Sequence, residues 1–289
     1  MMTLPIQAEM DIWLKKTASL PDAILELPWK WQSYDEGIRF AFFRLMEEII
    51  TLAGNPDIFK LDSEKNSQKE VNTYLLRFHR AFWQLKAQLT GLDEGLANQQ
   101  PTPQDWSIRR TAEHILEAEW MFYGVFRYGF HASDHSENLP SEKPNQDFID
   151  QHFDVEGGFP PDKFECSLVE LLMFFEKHHS DVLSGLSSLK DDDLERSLTF
   201  WEDEAMSARF RLIRFESHLR QHLIQIKKTA HQLQFQYSEV HALIQECISA
   251  FSSLDWYLRF PEQLNLEVLE KQWEQLVRPY LQITSDVAV

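Results

Sequence analysis

The residues of this chain best suited to chemistry are two histidines four positions apart, His218 and His222. Residues at positions i and i+4 of an α-helix project from the same face, so both imidazoles could reach one metal ion. The surrounding stretch, 210–233, has apolar residues every three to four positions and contains neither Pro nor Gly. This periodicity predicts an amphipathic helix. Because histidines at this spacing also arise by chance, a metal site needs a third ligand from elsewhere.

Two other histidines are candidates for that third ligand. His114 lies in a predicted helix over 106–128, on the same face as several apolar residues. A histidine among apolar residues needs a polar partner, which is either a metal ion or a carboxylate or carbonyl group. His179 lies on the apolar face of another predicted helix, 167–189, and is a rival candidate.

The remaining histidines are weaker candidates. His131 and His135 repeat the four-residue spacing, but their segment is polar and has no periodicity, which predicts a loop. We expect all of 131–164 to be irregular, because it is long and interrupted by Pro and Gly. His79 is expected to be solvated or to support a ligand. Exposed positions are expected for His178, His231 and His241.

The composition restricts the class of protein. The chain is 43% hydrophobic with only 9 Gly in 289 residues, and helical periodicity recurs throughout, so we expect an all-α fold. A net charge of -18 argues against nucleic acid or an anionic membrane surface as the main partner. Two Cys cannot form a disulfide framework, and no apolar stretch approaches the roughly 20 residues of a membrane span. With no signal peptide visible, we expect a cytoplasmic location. No internal repeat is apparent.

The predicted helices indicate how the histidines are positioned. Pro5, Pro21 and Pro28 limit any helix before residue 35 to short pieces. Seven longer helices are predicted, over 34–52, 71–89, 106–128, 167–189, 210–233, 240–254 and 266–281. Those between residues 70 and 237, with a long second connection, predict a four-helix bundle, an architecture that places metal sites between facing helices. One histidine from 106–128 and two from 210–233 would leave open coordination positions, as in catalytic sites.

Two segments resemble a known family. WSIRRTAEHILEAEW resembles the second helix of the DinB/YfiT-like superfamily, which has a Trp-Ser start and a histidine followed by an aliphatic residue. SHLRQHLIQI resembles the fourth-helix motif of that family, His-x-x-x-His followed by Gln-Ile. The resemblance covers roughly residues 70–237 and implies that His114, His218 and His222 correspond to the metal triad of the family.

The resemblance also implies a chemistry. It implies a divalent ion, Zn or Ni, and its characterised members include thiol-dependent transferases and isomerases that use bacillithiol, mycothiol or glutathione. Neutral imidazoles also suit Fe, so the donor set does not select the metal. A three-histidine metal with an open position could bind a low-molecular-weight thiol as thiolate or activate water for hydrolysis. We therefore expect a small-molecule substrate, with no nucleic acid or membrane partner.

Five residues near the histidines could contact a substrate. Arg110 and Glu117 lie one turn on either side of His114, and Arg211 and Arg214 precede His218 on the same side of their helix. The arginines could hold an anionic group, although ordinary salt bridges are the alternative in a chain with 46 acidic residues. A further candidate for the pocket lining is Gln225.

Taken together, the sequence predicts a DinB-like four-helix bundle over residues 70–237, with helical extensions over 1–69 and 238–289. The function predicted first is that of a metal-dependent thiol S-transferase or hydrolase. The alternative is a non-catalytic bundle for partner binding or oligomerisation, with a structural metal or none. An open coordination position favours the enzyme, and a fourth protein ligand favours the alternative. The two extensions could cover the bundle, extend its pocket or form a homodimer face.

Overall fold

The fold is given by a computed structural model, which describes residues 5–60, 69–131, 143–144, 146–154, 165–200 and 204–287. These residues are overwhelmingly helical, which confirms the all-α prediction. The helices are α1 (Pro5–Thr17), α2 (Ile38–Ala53), α3 (Lys69–Leu89), α4 (Glu94–Asn98), α5 (Ile108–His131), α6 (Gln146–Asp154), α7 (Leu168–Leu186), α8 (Ala208–Gln232), α9 (Glu239–Leu258), α10 (Leu266–Gln272) and α11 (Arg278–Asp286).

Two short antiparallel hairpins complete the regular structure. The first pairs β1 (Pro28–Trp31) with β2 (Tyr34–Gly37), and the second pairs β3 (Ser197–Thr199) with β4 (Ala205–Ser207). A 3₁₀ turn precedes each hairpin, at Asp22–Glu26 and at Asp191–Glu195. A single π-helical segment, Trp273–Val277, joins α10 to α11.

The chain divides into two compact units. The described residues of the central unit are 69–81 and those between 93 and 235, and the described residues of the terminal unit are 5–60, 82–92 and 236–287. The helix α3 therefore contributes its first part to the central unit and its last part to the terminal unit.

The central unit is a four-helix bundle made of α3, α5, α7 and α8. Phe215 of α8 lies at its centre, with ring centroids 5.0 Å from Phe78 of α3 and 6.0 Å from Phe126 of α5. The helix α7 packs beside α5, and an added Cβ at Gly185 would collide with the side chain of Tyr123. These contacts are made by the apolar helix faces that the periodicity predicts. The faces are buried because the removal of apolar surface from water is favourable.

The terminal unit packs α1, α2, α9 and α11 around a second apolar core. The ring centroids of Trp13 in α1 and Phe42 in α2 are 6.1 Å apart, and the thiol of Cys247 in α9 donates to the Phe42 carbonyl. The indole nitrogen of Trp13 donates to Thr284 Oγ1 of α11 over 2.8 Å. Burial raises the pKa of the Cys247 thiol, so this cysteine is an unreactive core residue.

Three expectations about the elements differ from the structure. The helix expected over 34–52 begins only at Ile38, because Tyr34–Gly37 forms β2. The helix α1 is 13 residues long, although Pro5 and Pro21 were expected to limit this region to short pieces. Pro5 is the first residue of α1, a position that tolerates proline because its amide would have no partner within the helix. The segment 131–164 was expected to be irregular, but it contains α6. His135 and the side chain of His131 lie outside the described residues.

Candidate metal centre

Three histidines meet inside the central unit, and we call them the three-histidine cluster: His114 of α5 with His218 and His222 of α8. Their candidate ligand nitrogens all lie within 4.8 Å of one another. The Nε2 atoms of His218 and His222 are 3.1 Å apart. Two ligands each about 2.0–2.1 Å from one zinc ion, at a tetrahedral angle, would be roughly 3.3 Å apart. The two nitrogens of α8 therefore already have the separation that a shared ion requires.

Local sequence positions these side chains. Ser107 accepts a hydrogen bond from the backbone amide of Arg110 and so starts α5, which places His114 two turns into the helix. Ser207 starts α8 in the same way, by accepting from the Phe210 amide. The i, i+4 spacing then brings the rings of His218 and His222 to a centroid distance of 4.4 Å.

A hydrogen bond that Gln225 accepts from His222 orients one of the three rings. The distance from His222 Nδ1 to Gln225 Oε1 is 2.8 Å, and an amide oxygen can only accept, so Nδ1 is the protonated nitrogen. The neutral ring then presents the lone pair of Nε2 toward His218. Metal-binding histidines usually have such a partner on their second nitrogen, because it fixes the tautomer and the ring orientation.

The surroundings keep all three rings neutral at neutral pH. Burial, as the largest cause, together with the adjacent rings of His222 and His114, lowers the pKa of His218 to about 3. Burial is also the largest cause of the lowered pKa values of His114 and His222. Only the neutral imidazole has a free lone pair, so this environment favours the form that binds metal ions.

A cavity of about 500 Å³ opens beside the cluster. Its walls combine an apolar part with a few polar groups, the composition that is typical of small-molecule sites. The residues that line it are His114, Glu117, Ala118, Met121, Phe122, Phe200, Arg214 and His218. The indole ring of Trp106 also lies near the cluster, 4.9 Å from the ring of His114 and 6.3 Å from that of His222.

The structure brings two of the five candidate substrate residues to the cavity, Glu117 and Arg214. The nearest polar contact of the Arg214 guanidinium is with Ser217 Oγ at 3.4 Å, and no carboxylate of the described residues pairs with it. Arg110 lies 3.4 Å from a carboxylate oxygen of Glu113 and of Glu117, and its guanidinium lies over the Trp106 ring. Arg214 is therefore the cation best placed to meet an anion in the cavity.

The other two candidates have different surroundings. The guanidinium of Arg211 is buried and lies 3.3–3.4 Å from the backbone carbonyls of Leu198 and Glu204, so it braces the second hairpin. Gln225 holds His222, as described above, and neither Arg211 nor Gln225 is among the described residues that line the cavity. Sequence reasoning missed Phe200, because only the hairpin between α7 and α8 brings this residue to the cavity.

The rival ligand His179 belongs to a separate set of buried groups. Its Nδ1 is 3.0 Å from a carboxylate oxygen of Glu119, and its Nε2 is 3.1 Å from Nδ1 of His79. We call these three residues the buried histidine chain. His79 is thus a buried residue and not a solvated one. The expectation of exposure was wrong for His178 and His241, which are buried, and was confirmed for His231.

Comparison with known proteins identifies one family. The family model of the DinB superfamily matches residues 77–226, just over half of the 289 residues and a span that contains the whole three-histidine cluster. No curated protein matches the chain. Among solved structures, the chain is similar to one described as "YfiT from Bacillus subtilis is a probable metal-dependent hydrolase with an unusual four-helix bundle topology". The identity is 13% and the TM-score 0.44, with 64% of this chain and 99% of that chain covered.

Proposed function

This chain belongs to the DinB superfamily, and we propose that it is a metal-dependent enzyme that acts on a small anionic molecule. The proposed metal ligands are His114, His218 and His222. The observation that carries the proposal is the convergence of three neutral imidazoles beside a cavity that also contains an arginine to which no described carboxylate is paired.

The donor set fits a divalent ion. Neutral imidazoles suit Zn, Ni or Fe, and three of them leave open positions for water or substrate. Among the described residues, the group contains three histidines and no fourth Cys, Asp or Glu ligand, which favours a catalytic site over a closed structural one. A divalent ion held there would supply a Lewis acid that lowers the pKa of a bound water or thiol.

The side chains around the cavity have distinct proposed roles. Arg214 binds an anionic group of the substrate, because no carboxylate in the described part of the chain neutralises its guanidinium. Glu117 lies one turn after His114 on α5 and is placed to accept a proton from the attacking water or thiol. Met121, Phe122 and Phe200 form the apolar wall against which the body of the substrate packs.

Two reactions fit this arrangement, hydrolysis and transfer to a low-molecular-weight thiol. Both need a bound water or thiol whose pKa is lowered beside the proposed metal ligands, and both need a nearby base. They differ in whether the water or the thiol is the nucleophile. Assays of aryl esters and alkylating electrophiles, with and without bacillithiol, mycothiol or glutathione, separate the two. A thiol requirement supports the S-transferase, and turnover without thiol supports the hydrolase.

The first test is the metal content of protein purified without a histidine tag. We expect about one equivalent of Zn, Ni or Fe in the unsubstituted protein and none in the His218→Ala/His222→Ala variant. The matched control is His231→Ala, since His231 is an exposed histidine at the end of the same helix. If the unsubstituted protein stays metal-free after incubation with Zn or Ni, the enzyme proposal is wrong and the non-catalytic bundle is the better interpretation.

The role of Arg214 has a separate test with paired carboxylated and uncharged aryl esters. Charge-assisted hydrogen bonds contribute roughly 1.5–3 kcal/mol, so Arg214→Gln should raise KM for the carboxylated ester about tenfold to a hundredfold. The uncharged ester should be unaffected. Arg220→Gln is the control, because Arg220 lies on the same helix and pairs with Glu216. Equal effects on both esters would contradict an anion-binding role.

Three further assignments stay predictions. They are the cytoplasmic location, the homodimer and the domain boundaries at residues 70 and 237. No helix among the described residues is long and apolar enough to cross a membrane.

A further inference from the structure

The chain contains the same series of elements twice. A helix, a 3₁₀ turn, a two-stranded hairpin and a longer helix follow one another from α1 to α2 and again from α7 to α8. Residue numbers differ by 169 up to the hairpin and by 170 after it, because the second hairpin, Ser197–Ser207, is one residue longer than the first, Pro28–Gly37. The hairpins have the same register, with Pro28 opposite Gly37 in the first and Ser197 opposite Ser207 in the second.

The burial pattern follows the same offsets. The five buried residues of α1 correspond to five buried residues of α7, 169 positions later. They are Ile6, Met10, Trp13, Leu14 and Thr17 in α1, with Phe175, His179, Val182, Leu183 and Leu186 in α7. Each of the six buried residues of α2 corresponds to a buried residue of α8, 170 positions later. Equal spacing of buried positions over two helices indicates the same packing in both places.

The 3₁₀ turns also make equivalent contacts. The carboxylate of Asp22 accepts hydrogen bonds from the first backbone amides of α9, and that of Asp191 accepts from the amides of Glu70 and Val71 in α3. The hydrogen bond from the Val240 amide lowers the pKa of Asp22. Each aspartate therefore neutralises the positive end of one helix dipole, and α9 occupies the place in the terminal unit that α3 occupies in the central unit.

An arginine completes each set of contacts. One arginine at the start of the longer helix binds a glutamate of the 3₁₀ turn and a glutamate at the start of the capped helix. The two sets are Arg39 with Glu26 and Glu239, and Arg209 with Glu195 and Glu70. Four matched charged groups in each unit are hard to explain by a shared helical composition alone.

The other two helices of each unit also have the same relative direction in both units. In the central unit α5 and α7 are parallel, because Arg109 binds the Cys166 carbonyl near their starts and Glu119 contacts His179 further along. In the terminal unit Glu9 of α1 contacts Trp273, and Trp13 contacts Thr284, so α1 is likewise parallel to the α10–α11 segment.

We infer that the terminal unit is a second copy of the four-helix bundle, with its helices in circularly permuted order. The helices α9, α10–α11, α1 and α2 correspond to α3, α5, α7 and α8. The chain supplies the third and fourth helices of this copy first and its first and second helices last.

The second copy lacks the three histidines. The offset of 170 places Glu48 and Leu52 at the positions of His218 and His222. Ser107 and Asn265 each precede the first residue of their helix, and this alignment places Gln272 at the position of His114. Gln272 of α10 accepts a hydrogen bond from Asn55, which lies just beyond the end of α2. In the central unit, His114 of α5 correspondingly contacts His222, which lies near the middle of α8.

The residues at the positions that line the cavity also have different contacts in the second copy. Arg44 corresponds to Arg214 and Trp31 to Phe200. The guanidinium of Arg44 lies 4.2 Å from the centroid of the Trp31 ring and is paired with Glu47 over 2.5 Å. This arginine is therefore neutralised and covered, whereas Arg214 has no carboxylate partner among the residues that the structure describes. Among the described residues, the terminal unit thus has no counterpart of the three histidines or of an arginine without a carboxylate partner, so the proposed metal and anion sites belong to the central unit; this last statement rests on the proposed function.

Moving the histidines to the equivalent positions tests the inference. In a His218→Ala/His222→Ala background, we add Glu48→His, Leu52→His, Gln272→His and Trp31→Phe, and titrate with Co(II). The two histidines on α2 alone bind an ion at their i, i+4 spacing. Adding Gln272→His should tighten Co(II) binding at least tenfold. Lys271→His is the matched control, since this exposed neighbour should add nothing.

The outcomes are distinct from those of the proposed function. If Gln272→His and Lys271→His have the same effect in folded protein, the assignment of the second copy is wrong. That result is independent of whether the unsubstituted protein binds metal, which decides the proposed function.

A reordered chain provides a second test if the grafted variant does not fold. Residues 65–286 are followed by a Gly/Ser linker and residues 5–64, so that the linker directly joins the end of α11 to the start of α1 and both copies have their helices in consecutive order. Because α1 is parallel to α10–α11, the linker must return along the 21 residues of Leu266–Asp286, about 31 Å at 1.5 Å per residue. A linker of about 30 residues spans this distance, and one of about 5 residues does not. We expect native stability with the long linker only; failure of both, or success of both, would overturn the inference.

Discussion

At the residue scale, single hydrogen bonds to histidine nitrogens determine what each histidine can do. His222 donates from Nδ1 to Gln225 and keeps its Nε2 lone pair available. His179 uses both nitrogens within the buried histidine chain, so neither is available for an ion in the cluster. Residues of the same type on neighbouring helices thus have different chemistry because of their second partner.

We expect Gln225→Ala to weaken metal binding without unfolding the protein. Removing the acceptor frees the tautomer and orientation of His222, and losses of such partners typically cost 10-fold to 100-fold in metal affinity. Competition with a chromophoric chelator measures the change. Gln225→Glu retains the acceptor and should keep near-native affinity. Equal losses for both variants would show that Gln225 acts through packing alone.

A second prediction concerns Glu119, whose pKa is raised well above its ordinary value by burial. The protonated carboxyl then donates to His179 Nδ1, and His179 Nε2 donates to His79. In the unfolded chain the carboxyl ionises near pH 4.5, so its contribution to stability is lost as the pH rises above that value. Relative to Glu119→Gln, the unfolding free energy of the native protein should fall by up to about 1.4 kcal/mol per pH unit.

Urea denaturation at pH 5, 6 and 7 measures this difference. The glutamine amide can also donate to His179, so the variant preserves the hydrogen bond and removes only the titration. The exposed Glu165→Gln serves as the control. A difference between native protein and Glu119→Gln that stays constant with pH would mean that the carboxyl is ionised in the folded state.

Sequence reasoning reached the three-histidine cluster but not the buried histidine chain. The spacing of His218 and His222 predicts one face, and a matched family motif pointed to His114. In contrast, the contacts of Glu119, His179 and His79 depend on how α3, α5 and α7 pack together, which no local spacing encodes. The same limit applies to Phe200, which reaches the cavity only through the second hairpin.

At the element scale, helix ends are fixed by side chains from elsewhere in the sequence. Asp191 caps α3 and Asp22 caps α9, although each aspartate is more than a hundred residues away from the helix that it caps. The periodicity predicts where the helices are: the expected 210–233 is observed as Ala208–Gln232. The periodicity does not reveal these caps. It also does not reveal α6, because a helix of 9 residues has too few apolar positions to show a period.

We expect Asp22→Ala and Asp191→Ala each to lower the free energy of unfolding by about 1 kcal/mol, the usual cost of losing a carboxylate cap at a helix start. The similarity of the two losses follows from their equivalent contacts. Chemical denaturation measures both. Asp192→Ala is the control, since its exposed side chain caps no helix, and it should change stability by less than about 0.5 kcal/mol. A loss at one position only would contradict their equivalence.

At the scale of the whole molecule, the groups proposed to do chemistry lie in the central unit, and the terminal unit repeats the bundle without them. In the described ranges, the central unit retains three histidines and an arginine without a carboxylate partner, whereas the corresponding positions of the terminal unit hold Glu48, Leu52, Gln272 and a paired Arg44. The repeat is hidden in the sequence because the copy is permuted and its matched positions share burial more than residue type. Only the offsets of buried residues and charged contacts reveal it.

If the first 60 residues supply half of a bundle, deleting them should disrupt the terminal unit. The helix α2 alone buries Ile38, Phe42, Leu45, Ile49 and Leu52. Burying each such side chain contributes about 1.5–3 kcal/mol, so their sum is comparable to the entire 5–15 kcal/mol stability of a typical domain. Residues 65–289 alone should therefore aggregate or bind a hydrophobic dye, and co-expression of residues 1–64 as a separate chain should restore solubility. Soluble 65–289 with an unchanged melting transition would instead show that the first residues are a dispensable extension, since no half-bundle could keep its exposed apolar faces in water.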